Sequence, residues 1–311
     1  MKKIIFSDQQ TNVRIDKFLK EGFFLDMDMA RGEIIRAIKA GKITVNEKVV
    51  KPSYSLRGQD VISIDLEKKK EELSSNAKIK LEIVYKDENI IVINKPAGLQ
   101  VHPSAVEKEN TLANGLVAEF PKMKDVHDDS TFGWMRPGIV HRLDKDTSGV
   151  MVVARNQKTF NELKRQFAHR EIEKKYVALV HGHLDSTEGV IDAPIARAAN
   201  FKKQKIAEGK IKGTARPAVT EYGVVKRFRD FDLIEARPKT GRMHQIRVHF
   251  ASLGHPIVGD EKYARKYLKN PAGTMRQLLH AKSLKFKLWG EEFDFQSELP
   301  ADFASFLTKI E

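Results

Sequence analysis

The chain has 311 residues, room for two domains, and carries 55 Lys and Arg against 42 Asp and Glu, a formal net charge of +13. The absence of cysteine excludes disulfides, a thiolate nucleophile and cysteine-ligated zinc, and no apolar stretch is long enough to span a bilayer, so a cytoplasmic protein is expected. The cationic excess is spread along the chain and attracts polyanions, which makes nucleic acid a candidate partner without naming a reaction.

The opening Met1-Lys2-Lys3-Ile4-Ile5-Phe6 starts like a signal peptide but breaks at Ser7-Asp8-Gln9 before an apolar core develops. Val13, Ile15, Phe18 and Leu19 recur at helical spacing. A second helix follows, with Ile34, Ile35 and Ile38 inward, Arg31, Arg36 and Lys39 outward, and Gly41 as its C-cap. Strands are expected at 42–45 and 48–50 around an Asn46-Glu47 turn, then at 61–66. Residues 67–80, with Lys68-Lys69-Lys70-Glu71-Glu72 and Ser74-Ser75-Asn76, have too little apolar surface to pack and read as a linker. This divides the chain into a module over 13–66 and a larger domain over 81–311.

Beyond the linker, β-rich runs at 81–85, 90–93, 149–154, 176–180, 231–236 and 284–288, with a helical pattern over 158–168, predict an α+β domain with a large mixed, mostly antiparallel sheet. No internal repeat of 20 to 50 residues is visible.

The first module, through Arg14-Ile15-Asp16-Lys17-Phe18-Leu19, Arg31-Gly32-Glu33-Ile34-Ile35 and Lys39-Ala40-Gly41-Lys42-Ile43-Thr44-Val45-Asn46, resembles the α-L RNA-binding domain of a small-subunit ribosomal protein. A helix presenting Arg31, Arg36 and Lys39 on one face offers cations to phosphates, although a charged face can equally be a solvated one. Ala30 stands where that family usually has a capping serine, and Glu47 replaces the usual turn glycine.

The densest polar segment is His141-Arg142-Leu143-Asp144-Lys145-Asp146-Thr147-Ser148-Gly149, directly before the apolar run 150–154. Alone it could be a turn whose Asp, Thr and Ser side chains cap backbone groups. It does not stand alone. With Asn94-Lys95-Pro96-Ala97-Gly98-Leu99-Gln100-Val101-His102-Pro103, Lys174-Lys175-Tyr176-Val177-Ala178-Leu179-Val180-His181-Gly182, Thr240-Gly241-Arg242-Met243-His244-Gln245-Ile246-Arg247-Val248-His249, the segment 253–260 and Arg276-Gln277-Leu278-Leu279-His280-Ala281, it resembles the RluA/RluD-like family of pseudouridine synthases over nearly the whole chain.

The resemblance implies that Asp144 is the catalytic aspartate, Tyr176 the tyrosine against the target base, Arg247 the arginine paired with the aspartate, and Arg142 the residue that fills the gap left by a flipped nucleotide. His141 and Arg242 are assigned to RNA contact with it. Elementary chemistry agrees: a neighbouring guanidinium favours the anionic carboxylate, and only the anion is a nucleophile. The isomerisation breaks N1–C1′ and makes C5–C1′, through attack at C1′, attack at C6 or a glycal, and needs no cofactor. Neither phosphate-loop pattern occurs, and the histidines lack metal spacing, so no metal is expected.

The expected partner is large-subunit ribosomal RNA, with transfer RNA as the alternative, and the expected state is a monomer. Two other readings differ in class. One is a magnesium-dependent phosphotransferase on Asp144-Lys145-Asp146-Thr147, against which the apolar run follows the motif instead of preceding it. The other is a non-catalytic RNA-binding or ribosome-assembly factor.

Overall fold

The computed structural model describes residues 2–6, 13–20, 31–65, 72–104, 106–130, 132–198, 203–207, 212–264, 271 and 274–311. These divide into two compact units, Met1–Glu72 with Asp128–Trp134, and Leu73–His127 with Met135–Glu311.

In the first unit, β1 (Lys2–Ile5), α1 (Ile15–Phe18), α2 (Arg31–Lys39), β2 (Ile43–Val45) and β3 (Val61–Ile64) form an antiparallel sheet in the order β1-β3-β2 with two helices. Ile15, Leu19, Ile34, Ile38, Ile43, Leu56 and Ile62 are fully buried together, the inward stripe expected from the periodicity. Arg36 and Lys39 are exposed.

Two local expectations change. The segment 48–50 makes only a single bridge, Val45 to Lys48, because Asn46 and Glu47 both adopt positive φ, 49° and 63°. Asn46 is also turned onto Asp60 and the Val61 amide. The opening residues, too short to read, supply an edge strand. Ala30 lies outside the described residues, as does the charged run 66–71.

In the second unit, residues 73–80 run along α3 (Leu112–Glu119) and do not stand free. Asn114 donates to the Ser74 carbonyl at 2.8 Å, Asn76 N–H donates to the Asn114 carbonyl at 3.0 Å, and Leu73 packs on the apolar core. The central sheet uses β4 (Ile83–Lys86), β5 (Ile90–Lys95), β6 (Ser148–Ala154), β7 (Glu173–His181), β8 (Glu188–Asp192), β12 (Val219–Arg227), β13 (Phe231–Pro238), β14 (Leu279–Leu288) and β15 (Glu291–Gln296). Its order is β4-β5-β6-β14-β7-β13-β12-β8, with β15 on β14. Among the described strands of this sheet, only the β6–β14 pair is parallel; the others are antiparallel. A second sheet holds β9 (Ile195–Arg197) between β10 (Gln204–Ile206) and β11 (Lys212–Arg216).

Every residue of β6 is buried, because the sheet is covered on both faces there. Val150 and Val152 face Phe160 and Leu163 of α4 (Gln157–His169), while Met151 and Val153 face Leu112 and Leu116 of α3. Farther along, Ala178 and Val180 meet Phe250 of α5 (Gln245–Ser252), and Leu179 meets Phe303 and Phe306 of α6 (Ala301–Ile310).

Candidate active site

A cavity of about 500 Å³ in the second unit is lined by the loop before β6, the end of α4, the first half of β7, the end of β13 and the loop into α5, with His102 and Leu279. Asp144, Tyr176 and Arg247 all line it, as do His141, Arg142 and Arg242.

The Asp144 loop is fixed from below by Lys95, at the end of β5. Its ammonium is fully buried and donates to three carbonyls, those of Pro96 at 2.7 Å, Leu99 at 2.8 Å and Lys145 at 2.9 Å. Burial pulls Lys95 down to about 7, against the charges of Asp146 and Asp144 that support it. Three carbonyl acceptors match the three donors of an ammonium, and we assign the charged form to the folded enzyme. Arg276 reaches the other side, donating to the Asp146 carbonyl at 3.1 Å while clamped by Asp302. At Gly149, φ is +118° and a Cβ would stand 2.3 Å from the Ala281 carbonyl, so only glycine permits β6 and β14 to approach so closely behind the loop.

Arg247, in the first turn of α5, is held on both sides. Nε and Nη2 donate to the two oxygens of fully buried Asp260, at 2.7 and 2.9 Å, and Nη1 donates to Asp144 Oδ2 at 2.8 Å. Burial opposes the guanidinium charge, but the hydrogen bonds and charge of Asp260, joined by those of Asp144, outweigh it and raise its pKa. Asp260 is itself set by the Lys262 and Tyr263 amides. The loop entering α5 is tied by Gln245, which accepts from Thr240 and from the Arg242 amide and donates to the Val219 carbonyl and the Thr220 hydroxyl.

Asp144 keeps 16% of its side chain exposed. Its second oxygen, Oδ1, lies 3.9 Å from His244 Nε2, beyond hydrogen-bond range. His244 is the left-handed N-cap of α5, φ +58°, with Nδ1 2.7 Å from the Tyr263 hydroxyl, which also accepts from the Gln204 amide. Burial first, against the pull of Asp144, brings His244 down to about 4. A neutral ring that accepts the hydrogen bond of the Tyr263 hydroxyl at Nδ1 presents its Nε2–H toward Asp144. Tyr176 is raised above the usual phenol range by burial and then by the Asp144 charge, so it stays neutral.

The remaining expected residues play different parts. His141 Nε2 accepts from the Val152 amide at 3.1 Å and its ring stacks on Phe167, with centroids 4.5 Å apart. Burial brings it down to about 3. That nitrogen is committed to the fold, and only the rest of the ring borders the cavity. Arg142 is exposed and donates from Nη1 to His102 Nε2 at 2.9 Å, with His102 Nδ1 at 3.1 Å from the Pro103 carbonyl. Burial and the Arg142 charge bring His102 down to about 4, which keeps it an acceptor. Arg242 donates from Nε to the Pro217 carbonyl at 3.1 Å. Arg31, Arg36 and Lys39 belong to the other unit.

Sequence reading passed over Lys95, His102, His244, Asp260 and Tyr263 as actors. The first four lay inside matched segments, but nothing in their spacing paired Asp260 with Arg247 or His102 with Arg142. Among the described residues, no cluster of three or more His, Asp or Glu could hold a metal, and no helix is long and apolar enough to cross a membrane.

A sheet-based α+β domain whose basic cavity ends on a carboxylate–guanidinium pair defines an enzyme acting on a polyanion. Residues 89–252 match the family model described as RNA pseudouridylate synthase, and residues 13–62 match the S4 domain. The chain is 36% identical over 310 residues to the uncharacterized RNA pseudouridine synthase YlyB of Bacillus subtilis, covering 99% of this chain and 97% of that protein. It is 35% identical to ribosomal large subunit pseudouridine synthase D of Zymomonas mobilis, covering 96% and 94%. A solved structure, human RNA pseudouridylate synthase domain containing 4, superposes with a TM-score of 0.58 at 29% identity over 73% of this chain and 92% of that one. The chain belongs to the RNA pseudouridylate synthase family, with an S4 domain preceding the catalytic domain.

Proposed function

We propose that this enzyme converts uridines of large-subunit ribosomal RNA to pseudouridine, with Asp144 as the nucleophile, Arg247 as its electrostatic partner and Tyr176 against the target base. The observation that carries the reading is the unequal treatment of the two Asp144 oxygens. Oδ2 is bound by Arg247 at 2.8 Å, while Oδ1 has no hydrogen bond among the described residues, its neighbour His244 Nε2 lying 3.9 Å away, and Asp144 lines the same cavity as Tyr176. An oriented, charged oxygen open to a pocket is what nucleophilic attack requires.

Whichever of the three routes is followed, N1–C1′ breaks, C5–C1′ forms, N1 gains a proton and C5 releases one. The target must leave its stack to reach Asp144, at a cost of a few kcal/mol. Arg142, steadied by His102, is suited to occupy the vacated position. Arg242 and His141 line the same cavity. The module at 13–66 binds RNA through Arg31, Arg36 and Lys39, and 67–80 joins it to a catalytic domain over 81–311.

The choice of ribosomal RNA rests on the names of relatives such as the Zymomonas mobilis protein. Mapping pseudouridine in total RNA from cells with and without the protein tests it; a site appearing only in transfer RNA would redirect the substrate. The nucleophile is tested by Asp144→Asn, which removes the anion and almost no volume. Tritium release from RNA bearing 5-³H-uridine should disappear while RNA affinity is retained, and an active variant would end the assignment.

A further inference from the structure

Lys174 and Arg170 are cations on the cavity wall that the proposed chemistry does not use. Lys174 lies two residues before Tyr176 on β7, so the two side chains share a face of the strand, about 7 Å apart along it. Its ammonium is over the Phe167 ring, 6.0 Å from the centroid, and Phe167 in turn stacks on His141. Lys174 is only partly exposed, yet among the described residues it has no carboxylate partner, whereas its neighbour Lys175 lies 4.0 Å from Glu235.

Arg170 closes α4 in the left-handed conformation, φ +63°, at a C-cap where glycine is the usual residue. Its side chain is exposed, and no ion pair engages it among the described residues. Two cations therefore approach one wall without a counterion. Burial, with the Arg170 charge adding to it, brings Lys174 down to about 8. A half-buried cation beside a second one is stabilised by an anion brought from outside.

We propose that Lys174 and Arg170 form a phosphodiester subsite, holding the backbone phosphate next to the uridine that rests on Tyr176. The subsite deepens the function proposed above and rests on it. A phosphate there fixes the backbone one strand-step from the base, so the nucleoside enters with its ribose turned toward Asp144. Arg170, at the exposed outer position, meets the chain first; Lys174, nearer Tyr176, holds it in register.

The test is RNA binding by the full chain at several salt concentrations, using a transcript of large-subunit ribosomal RNA and fluorescence anisotropy. Lys174→Gln should weaken affinity roughly tenfold and reduce the slope of log K against log salt by about one, as loss of one phosphate contact does. Lys174→Arg should restore both, which a merely structural lysine would not require. Because Lys174→Gln disturbs a partly buried site, Arg170→Gln, at an exposed position, provides a second variant that should flatten the slope in the same direction. Unchanged slopes in both variants would overturn the subsite. Tritium release by the unaltered protein is measured alongside: its absence would remove the catalytic reading, while the binding slopes would still report on the phosphate.

Discussion

Arg247 gives Asp260 two of its nitrogens and Asp144 one, so the Asp144–Arg247 pair is anchored on the buried carboxylate of Asp260. Asp260 is fully buried and accepts four hydrogen bonds from described residues, two from Arg247 and two from the backbone of its own loop. The guanidinium is oriented before any RNA arrives.

Asp260→Asn should therefore act on both stability and rate. It leaves a buried guanidinium facing an amide, a loss of about 3–5 kcal/mol by comparison with broken buried pairs. Urea unfolding reads the first effect, and tritium release at saturating RNA the second, expected to fall at least a hundredfold with RNA affinity nearly constant. Normal turnover in a folded variant would mean that Arg247 needs no anchor.

The Arg142–His102 contact predicts a substrate-dependent defect. His102→Phe removes the acceptor and leaves the guanidinium unguided, so conversion in paired RNA should fall about tenfold, equivalent to ~1.4 kcal/mol. A short single-stranded oligonucleotide, which has no stack to open, should lose far less. Equal losses on both would refute a role in base extrusion.

Acid should destabilise the catalytic unit. His244 and His102 are held near 4 and His141 near 3, chiefly by burial. The unfolded chain takes up protons from about pH 6.5 downward whereas these folded rings do not. Their contribution to stability is complete above that pH and is lost as pH falls toward 4. For His244, with 10% of its side chain exposed, the loss at pH 5 is on the order of 2 kcal/mol. Comparing urea midpoints at pH 7.5 and 5 checks this, and His244→Gln should narrow the difference between them.

In the S4 unit, neutralising Arg31, Arg36 and Lys39 together should lower RNA affinity and flatten its salt dependence by about two to three, with catalysis on saturating RNA maintained. An unaltered salt slope would assign the module another task.

Much of this was legible because the periodic elements report their own burial. Ile34, Ile38 and the run 150–154 were readable from spacing alone, whereas Ile35, expected inward with them, stays half-buried outside the core; Asp144, Tyr176 and Arg247 were named through segments that fold onto one cavity. What escaped were positions whose meaning lies across the chain. Lys95 looks like a surface lysine until its three carbonyl partners, one of them 50 residues away, are in place. The polar stretch 72–80 reads as linker because Asn76 and Ser74 carry no apolar signal, yet both are satisfied by Asn114 and its surroundings. The strand expected at 48–50 failed because composition does not encode the left-handed turn at Asn46 and Glu47.

Gly149 brings β6 within touching distance of β14, and the loop that carries Asp144 leads directly into that seam between the covered strands of the sheet. A carboxylate whose loop is tied down by Lys95, Arg276 and Arg247 is held in place before it meets its target. Adaptation during the encounter falls to the nucleic acid, which must bend, open and present its uridine to an unmoving anvil, so substrates should be ranked by how readily they deform as much as by their sequence.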